Sequence, residues 1–308
     1  MPGAPSSAAG RGCGARPADR ERRAVLVHLR LPFQVLLAPV FLWGWLVAGG
    51  GLSPGVVSGF VAFHLFLYPG ATAFNSYYDR DRGPVGGLER PPPVPAVLLK
   101  VALGVKAAGW LLAAFVNLPF WVAYGVFIAL SVAYSHPRVR LKARPFGSLL
   151  VVGFGQGALA FLAAWAATRG EIRDALSAEG ALGIAAAVLL VLALYPLTQL
   201  YQMDEDAARG DRTLAVVWRP RRCFTFALGC TLVGGLAMLA LVLRRFGSID
   251  ALVVGAGLAV QAIAVVWLAR SFDALAILAA YRRVRTVNVL SAGALGGYLL
   301  LRLALNSH

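Results

Sequence analysis

The sequence predicts an all-α polytopic membrane protein, with about nine transmembrane helices around a central cavity. Three observations lead there. Of 308 residues, 59% are hydrophobic and only 14% charged, with a mean hydropathy of +0.70; soluble domains run at about 25% charged. The apolar residues gather into runs of the length a bilayer demands, about 20 residues each. The 29 Lys+Arg outnumber the 14 Asp+Glu for a net +15, and most of them fall between alternate runs. In a soluble chain that excess would suggest a nucleic-acid binder. Here the charges decorate the ends of buried helices, so membrane lipid, and no nucleic acid, is the expected partner. Cys13, Cys223 and Cys230 have no paired spacing and indicate neither a disulfide framework nor a zinc site.

Residues 1–30 are rich in Arg, Ala and Gly and lack an apolar h-region, so they are expected as a disordered basic cytoplasmic tail, not a cleavable signal. Residues 31–308 then form a single membrane domain. No Asp, Glu, Lys or Arg occurs from Leu31 to Tyr78, and Gly49-Gly50-Gly51-Leu52-Ser53-Pro54 divides that run into two spans. Residues 94–137 supply the third and fourth, split at Asn117-Leu118-Pro119. Lys100 and Lys106 fall in the third span and are expected to face a protein interior or cavity. The runs 145–168, 180–203, 223–243, 251–269 and 286–301 complete nine. Gly153, Gly155 and Gly157 in the fifth are small residues that let helices approach closely.

Twenty-two of the Lys+Arg lie in the tail and the 2–3, 4–5, 6–7 and 8–9 loops. Five (Arg169, Arg173, Arg244, Arg245, Arg302) lie on the opposite side. By the positive-inside rule the N-terminus is cytoplasmic. The expected location is integral membrane, the plasma or inner membrane if the source is bacterial.

An internal repeat carries the polar chemistry. Residues 67–83 (LYPGATAFNSYYDRDRG) and 194–210 (LYPLTQLYQMDEDAARG) share six identities at a constant offset of 127. Each copy ends a span on the cytoplasmic side. Asp79, Asp81 and Glu89 follow the second span, and Asp204, Glu205, Asp206 and Asp211 follow the sixth, seven of the fourteen acids in two short stretches. Asn75 and Asp79, like Gln202 and Asp206, are four apart and share a helix face. Acids in one loop are commonly solvated charges that balance nearby arginines. Two clusters in repeat-related positions facing a common cavity suit Mg²⁺, which takes a few carboxylates, retained waters and phosphate oxygens. Between the clusters lies Tyr134-Ser-His-Pro-Arg138-Val-Arg140-Leu-Lys142-Ala-Arg144. These cations serve topology in any case; they also suit a clamp for a charge-dense diphosphate, with Arg90, Arg212, Arg221 and Arg222 on the same face.

These residues resemble the UbiA superfamily of intramembrane prenyltransferases. The family's Asn-x-x-x-Asp-x-x-x-Asp is answered by Asn75, Asp79 and, in third place, Gly83, with Asp81 nearby. Its second motif, roughly Asp-x-Glu-Gly-Asp-x-x-x-Gly-x-x-Thr, is answered by Gln202, Asp204, Glu205, Asp206, Gly210 and Thr213. Arg90-Pro91 matches the Arg-Pro trailing the first motif, and Tyr134 to Arg138 is similar to a Tyr-x-x-x-Lys on the 4–5 loop.

The resemblance implies a Mg²⁺-dependent transferase moving an isoprenyl group from an isoprenyl diphosphate to an unidentified lipophilic or aromatic acceptor, in a site on the cytoplasmic side. It implies Asn75, Asp79, Asp81, Asp204 and Asp206 as metal ligands, and Arg138, Arg140, Lys142, Arg90 and Arg212 as diphosphate-binding residues. Asp79, Asp204, Asp206 and Tyr134 would be catalytic. Tyr78, Tyr134, Tyr195 and Tyr201 are candidates to stabilise an allylic cation through their ring faces; Tyr also favours the membrane interface for its own sake. A terpene cyclase of the same superfamily would use the same metal site, and a membrane transporter is a further alternative, although its ionisable groups would be expected near the bilayer midplane.

Overall fold

The structure is a computed structural model that describes residues 16–306. Among the described residues it is mainly helical, and the only β pairing is an isolated bridge between Val85 and Leu88 in the non-helical stretch 80–97. Among the described residues, eight helices are long and apolar enough to cross a membrane. They are α1 (Pro17–Val47), α2 (Pro54–Asp79), α4 (Leu118–Ser135), α5 (Pro145–Arg169), α6 (Ala178–Ala208), α7 (Leu214–Phe246), α8 (Ser248–Ala274) and α9 (Ile277–Asn306). The remaining segment, α3 (Leu98–Ala114), has 17 residues. Each of the nine apolar runs overlaps one of these segments, and eight of the segments are long and apolar enough to span. The chain is an integral membrane protein.

The breaks lie where turn chemistry demands them. Ser53 caps α2 by accepting from the Val56 N–H at 3.2 Å, and Pro54 follows at the first helical position. Asn117 caps α4 through the Phe120 N–H at 2.9 Å, while its amide donates to Ala166 O at 2.8 Å and fastens the turn to α5. The α7 helix is interrupted at Arg219 (φ 64°, ψ 162°), next to Pro220, which cannot continue a helical ladder. For this reason the apolar part of α7 begins near residue 223.

The expected disordered tail needs correction. Residues 17–29 are helical, and residues 1–15 lie outside the described residues. Pro17 and Asp19 favour a helix start, and Val25 and Leu29 pack on a cluster of Ala73, Phe74 and Leu98. Arg30 is left-handed (φ 51°) and turns the chain so that the first span proper enters the bundle from there.

Packing rests on close helix approaches. A Cβ at Gly44 of α1 would lie 2.4 Å from Phe161 O of α5, and one at Gly157 of α5 would lie 2.7 Å from Val188 Cα of α6. The bulky residues fill the space these glycines open. Trp43, Leu46, Phe161, Trp165 and Leu241 form one core. Phe41, Phe63, Tyr68, Phe120 and Tyr124 form another. Leu197, Phe224, Val265 and Tyr281 form a third. Lys106 of α3 is buried as expected, donating to Ser131 Oγ at 2.8 Å beneath the Phe74 ring; Lys100 is instead exposed.

Three helices lose regular α geometry part of the way along. Residues Ala62–Leu67 of α2 and Val151–Leu159 of α5 are π-helical, and Pro196–Gln202 of α6 is a 3₁₀ segment. Such local rewinding often accompanies functional sites. Here it re-aims Gln156, Thr198, Tyr201 and Gln202, which line the cavity.

The obstacle at Gly44 is backbone, so a side chain there cannot be accommodated by rotamer changes. Gly44→Ala is expected to cost about 1–3 kcal/mol, the usual penalty of overpacking, and to lower the thermal midpoint of the detergent-purified protein. Gly104→Ala, where nothing lies within 4 Å of the new Cβ, should leave that midpoint unchanged.

Candidate active site

The two halves of the sequence repeat meet at one end of the bundle. The first copy is regular helix through Asp79, where Arg80 (φ 51°) caps α2. The second reaches the same place through the 3₁₀ segment and a final helical turn, Met203–Ala208. Glu205 joins them: its carboxylate accepts from the Arg82 and Gly83 N–H groups at 2.9 and 3.1 Å. A Cβ at position 83 would lie 3.0 Å from Glu205 Oε2, so the glycine leaves the carboxylate room to approach closely. The 4–5 loop closes over the pair, its Ala143 O accepting from the Arg212 N–H at 3.1 Å.

Within this junction is a small cavity of about 80 Å³, lined by Asn75, Asp79, Asp81, Asp206, Asp211, Lys142 and Arg209, among others. Its charges are interlocked. Lys142 pairs with Asp79, and Arg140 reaches Asp79 at 3.3 Å. Arg140 also makes a two-pronged contact with Asp211 at 2.8 and 2.7 Å. Arg209 bridges Asp81 at 2.7 Å and Asp206 at 2.5 Å. Thr213 donates to Asp206 at 3.2 Å, and Asn75 Oδ1 accepts from Ser135 at 2.9 Å and Lys142 at 3.3 Å. Asp79 and Asp206 are almost fully buried.

These pairings set the charge states of the loop groups. Burial pushes the Asp211 carboxyl up, but the hydrogen bonds and charge of Arg140 outweigh it and hold the group below the ordinary carboxylate range. The same contact raises the Arg140 guanidinium. A carboxyl lowered in this way supports folding above its ordinary value and loses that support only as pH falls through the lowered one.

A second cavity of about 340 Å³ adjoins the first, the two sharing Asn75, Val85, Tyr134, Tyr195, Thr198 and Gln202 as wall. It runs among α1, α2, α4, α5, α6, α8 and α9, past Leu37, Val40, Phe127, Leu190 and Leu258. Tyr134 and Tyr195 stand at the junction with their hydroxyls 3.1 Å apart.

The sequence-based assignments fare unequally. Asn75, Asp79, Asp81, Asp206, Lys142 and Tyr134 line the small cavity, and Arg140 pairs with two of its acids. Asp204 does not: it is exposed and outside the lining, since residues two apart on a helix point to nearly opposite sides. Arg138, Arg90 and Arg212 are also exposed and outside it. Arg140 turns inward instead, through a left-handed backbone at φ 44°. Tyr195 and Tyr201 line the large cavity, while Tyr78 packs on Phe74, Tyr77 and His136 away from both. The sequence reasoning overlooked Arg209 as a site residue, although it is one of the six identities of the repeat. It also left out Asp211, five residues beyond Asp206.

The donor set is compatible with magnesium. Hard carboxylate and amide oxygens face one cavity, which is what Mg²⁺ requires beside water and phosphate. Among the described residues no group of three or more His, Cys, Asp or Glu side chains converges as a self-sufficient metal site.

The chain is similar to several known proteins. The protoheme IX farnesyltransferase of Archaeoglobus fulgidus is 33% identical over 159 residues, which is 49% of this chain and 54% of that protein. The chain thus spans about half the length of the curated relatives it matches. The fold is similar to that of a UbiA homologue from Archaeoglobus fulgidus bound to DMAPP and Mg²⁺, with a TM-score of 0.66 and 21% identity over 91% of this chain and 99% of that one. The apo structure of a UbiA homologue from Aeropyrum pernix K1 also gives 0.66, with 18% identity over 88% and 98%. Residues 36–303 match the model of the UbiA prenyltransferase family. With a match over most of its length and both Asp-rich segments gathered at one cavity, the chain belongs to the UbiA prenyltransferase family.

Proposed function

We propose that the protein is a Mg²⁺-dependent prenyltransferase that moves an isoprenyl group from an isoprenyl diphosphate to a lipophilic or aromatic acceptor, at the cytoplasmic side of the membrane. The observation that carries this reading is the contiguity of two unlike cavities, a small charged one and a long apolar one. A donor with a dense anion at one end and a hydrocarbon at the other has the same polarity. The relative solved with DMAPP and Mg²⁺ supports the choice of donor, and the farnesyltransferase relative supports the reaction class.

In this reading Lys142, Arg140 and Arg209 bind the diphosphate oxygens. Asp79, Asp81 and Asp206, with Asn75 as a neutral oxygen donor, would hold Mg²⁺. The bound metal supplies charge neutralisation that makes diphosphate a better leaving group. When the allylic C–O bond breaks, its electron pair leaves with the diphosphate. Tyr134, Tyr195 and Tyr201 offer ring faces to the cationic carbon left behind. The apolar wall keeps water from that carbon until the acceptor bonds to it and loses a proton.

Asp79→Asn or Asp206→Asn is expected to slow Mg²⁺-dependent diphosphate release from dimethylallyl diphosphate by on the order of 10²–10³-fold. Asp204→Asn should stay within about twofold, as for a surface substitution. Full activity in both buried variants would falsify the site. A chelator should abolish wild-type turnover and added Mg²⁺ restore it; cyclised hydrocarbon as the product would replace the transferase reading with a cyclase.

Asp211→Asn removes the group that aims Arg140. It is expected to raise the KM for the diphosphate about tenfold with little change in kcat, because a charge-assisted contact used in ground-state binding is lost. An unchanged KM would remove Arg140 from the diphosphate site.

A further inference from the structure

The charged residues of the 4–5 and 6–7 loops divide by direction. Arg140, Lys142, Arg209 and Asp211 turn inward, into the ion pairs of the small cavity. Arg138 and Arg144 of the first loop are exposed, as are Arg212 and Arg219 of the second. No ion pair among the described residues includes any of these four, or Asp204, the exposed acid at the end of α6. Arg144 and Arg212 are held side by side, because the Arg212 N–H donates to Ala143 O at 3.1 Å.

Both arginines stand at the foot of a spanning helix. Arg144 immediately precedes α5, and Arg212 lies two residues before α7. Leu149 of α5 and Trp218 of α7 pack on one cluster with Tyr195 and Leu214, so the two helices start as neighbours. Beyond the arginines the surface turns apolar. Phe146 is 76% exposed, and Leu150, one turn further along the same face of α5, is exposed with it, as is Val217 of α7. Positive charge at the N-terminal end of a helix is opposed by the helix dipole, and neither first turn carries an acid. Topology requires only that these loops be positive; it does not require two arginines to be paired above an apolar strip. A soluble anion would use the arginines alone. A ligand with an anionic head and a hydrocarbon body would use both.

We propose that Arg144 and Arg212 bind the headgroup phosphate of an anionic phospholipid whose acyl chains lie along Phe146, Leu150 and Val217. Arg138 and Arg219 add to the positive field of the same two loops. A guanidinium fork matches two phosphate oxygens, and clusters of cations beside membrane helices select anionic lipid, each contributing several-fold in affinity. The site lies outside both cavities and does not depend on the substrate reading.

The test uses the full chain in detergent micelles, titrated with phosphatidylglycerol or with phosphatidylcholine of the same acyl chains. Native mass spectrometry reads the occupancy of the first bound lipid. Phosphatidylglycerol is expected to bind about tenfold tighter, the scale of two cations at a lipid surface. Arg144→Gln combined with Arg212→Gln should bring the two lipids within about twofold of each other. Arg173→Gln combined with Arg244→Gln removes the same charge from the opposite end of the bundle and should leave the preference intact. Equal binding of the two lipids by the wild type would overturn the proposal. So would a preference that survives in the first double variant, or one lost equally in the second. Displacement of phosphatidylglycerol by equimolar inorganic phosphate would make the cluster a soluble-anion site and also overturn it. Should the first double variant fail to fold, the single variants Arg144→Gln and Arg212→Gln decide: each should lose part of the preference, and full retention in both contradicts the assignment.

Discussion

The constraint on which this structure turns is the burial of carboxylates at the end of a membrane bundle. Asp79, Asp81, Asp206 and Asp211 share one small space, and desolvated like charges are tolerated only if each is paired. Lys142, Arg140 and Arg209 supply the pairs. Those three cations come from two different loops, so satisfying the acids fixes the 4–5 and 6–7 connections against the end of α2. Removing one partner of such a buried pair costs about 3–5 kcal/mol, which makes the junction rigid as well as charged. An ion-pair network of this kind is also poised for exchange. A phosphate with its metal offers each acid and each base a replacement partner of the right sign.

From that junction the rest of the bundle follows. The long cavity runs past the stretches of α5 and α6 that depart from α geometry, while tight glycine contacts such as Gly44 on Phe161 hold the helices together elsewhere. The small cavity gathers the charge of the site, and apolar side chains line most of the large one. Arg30 is the one charged residue among the described residues that line that cavity.

Much of this was legible in the sequence, and the failures have physical causes. Apolar runs report helices in a bilayer because backbone groups must be satisfied within each span; the nine runs correspond to nine helical segments. The repeat identified Asp79 and Asp206 because both copies end at the same cavity. It could not separate Asp204 from Asp211, because the 3₁₀ segment before Met203 sets the register of the last turn, and that segment leaves no clear mark in the residue pattern. Loop arginines were harder still. Arg138 and Arg140 are two apart on one short loop, and only the left-handed backbone at Arg140 decides which one turns inward. Arg209 was hidden as an apparent loop charge. Residues 17–29 read as tail since their helix is polar on one side and gains its stability from Phe74 and Leu98, far along the chain.

The central claim is that the acids accept a metal only when a diphosphate arrives to take their cationic partners. Electron paramagnetic resonance of Mn²⁺, a hard oxygen-seeking substitute for Mg²⁺, measures this directly on the purified protein with and without dimethylallyl diphosphate, after correction for Mn²⁺ held by the diphosphate in solution. The account predicts weak Mn²⁺ binding alone and binding at least about tenfold tighter with the diphosphate, the size of a modest coupling free energy. Equal Mn²⁺ affinity in the two conditions would contradict it.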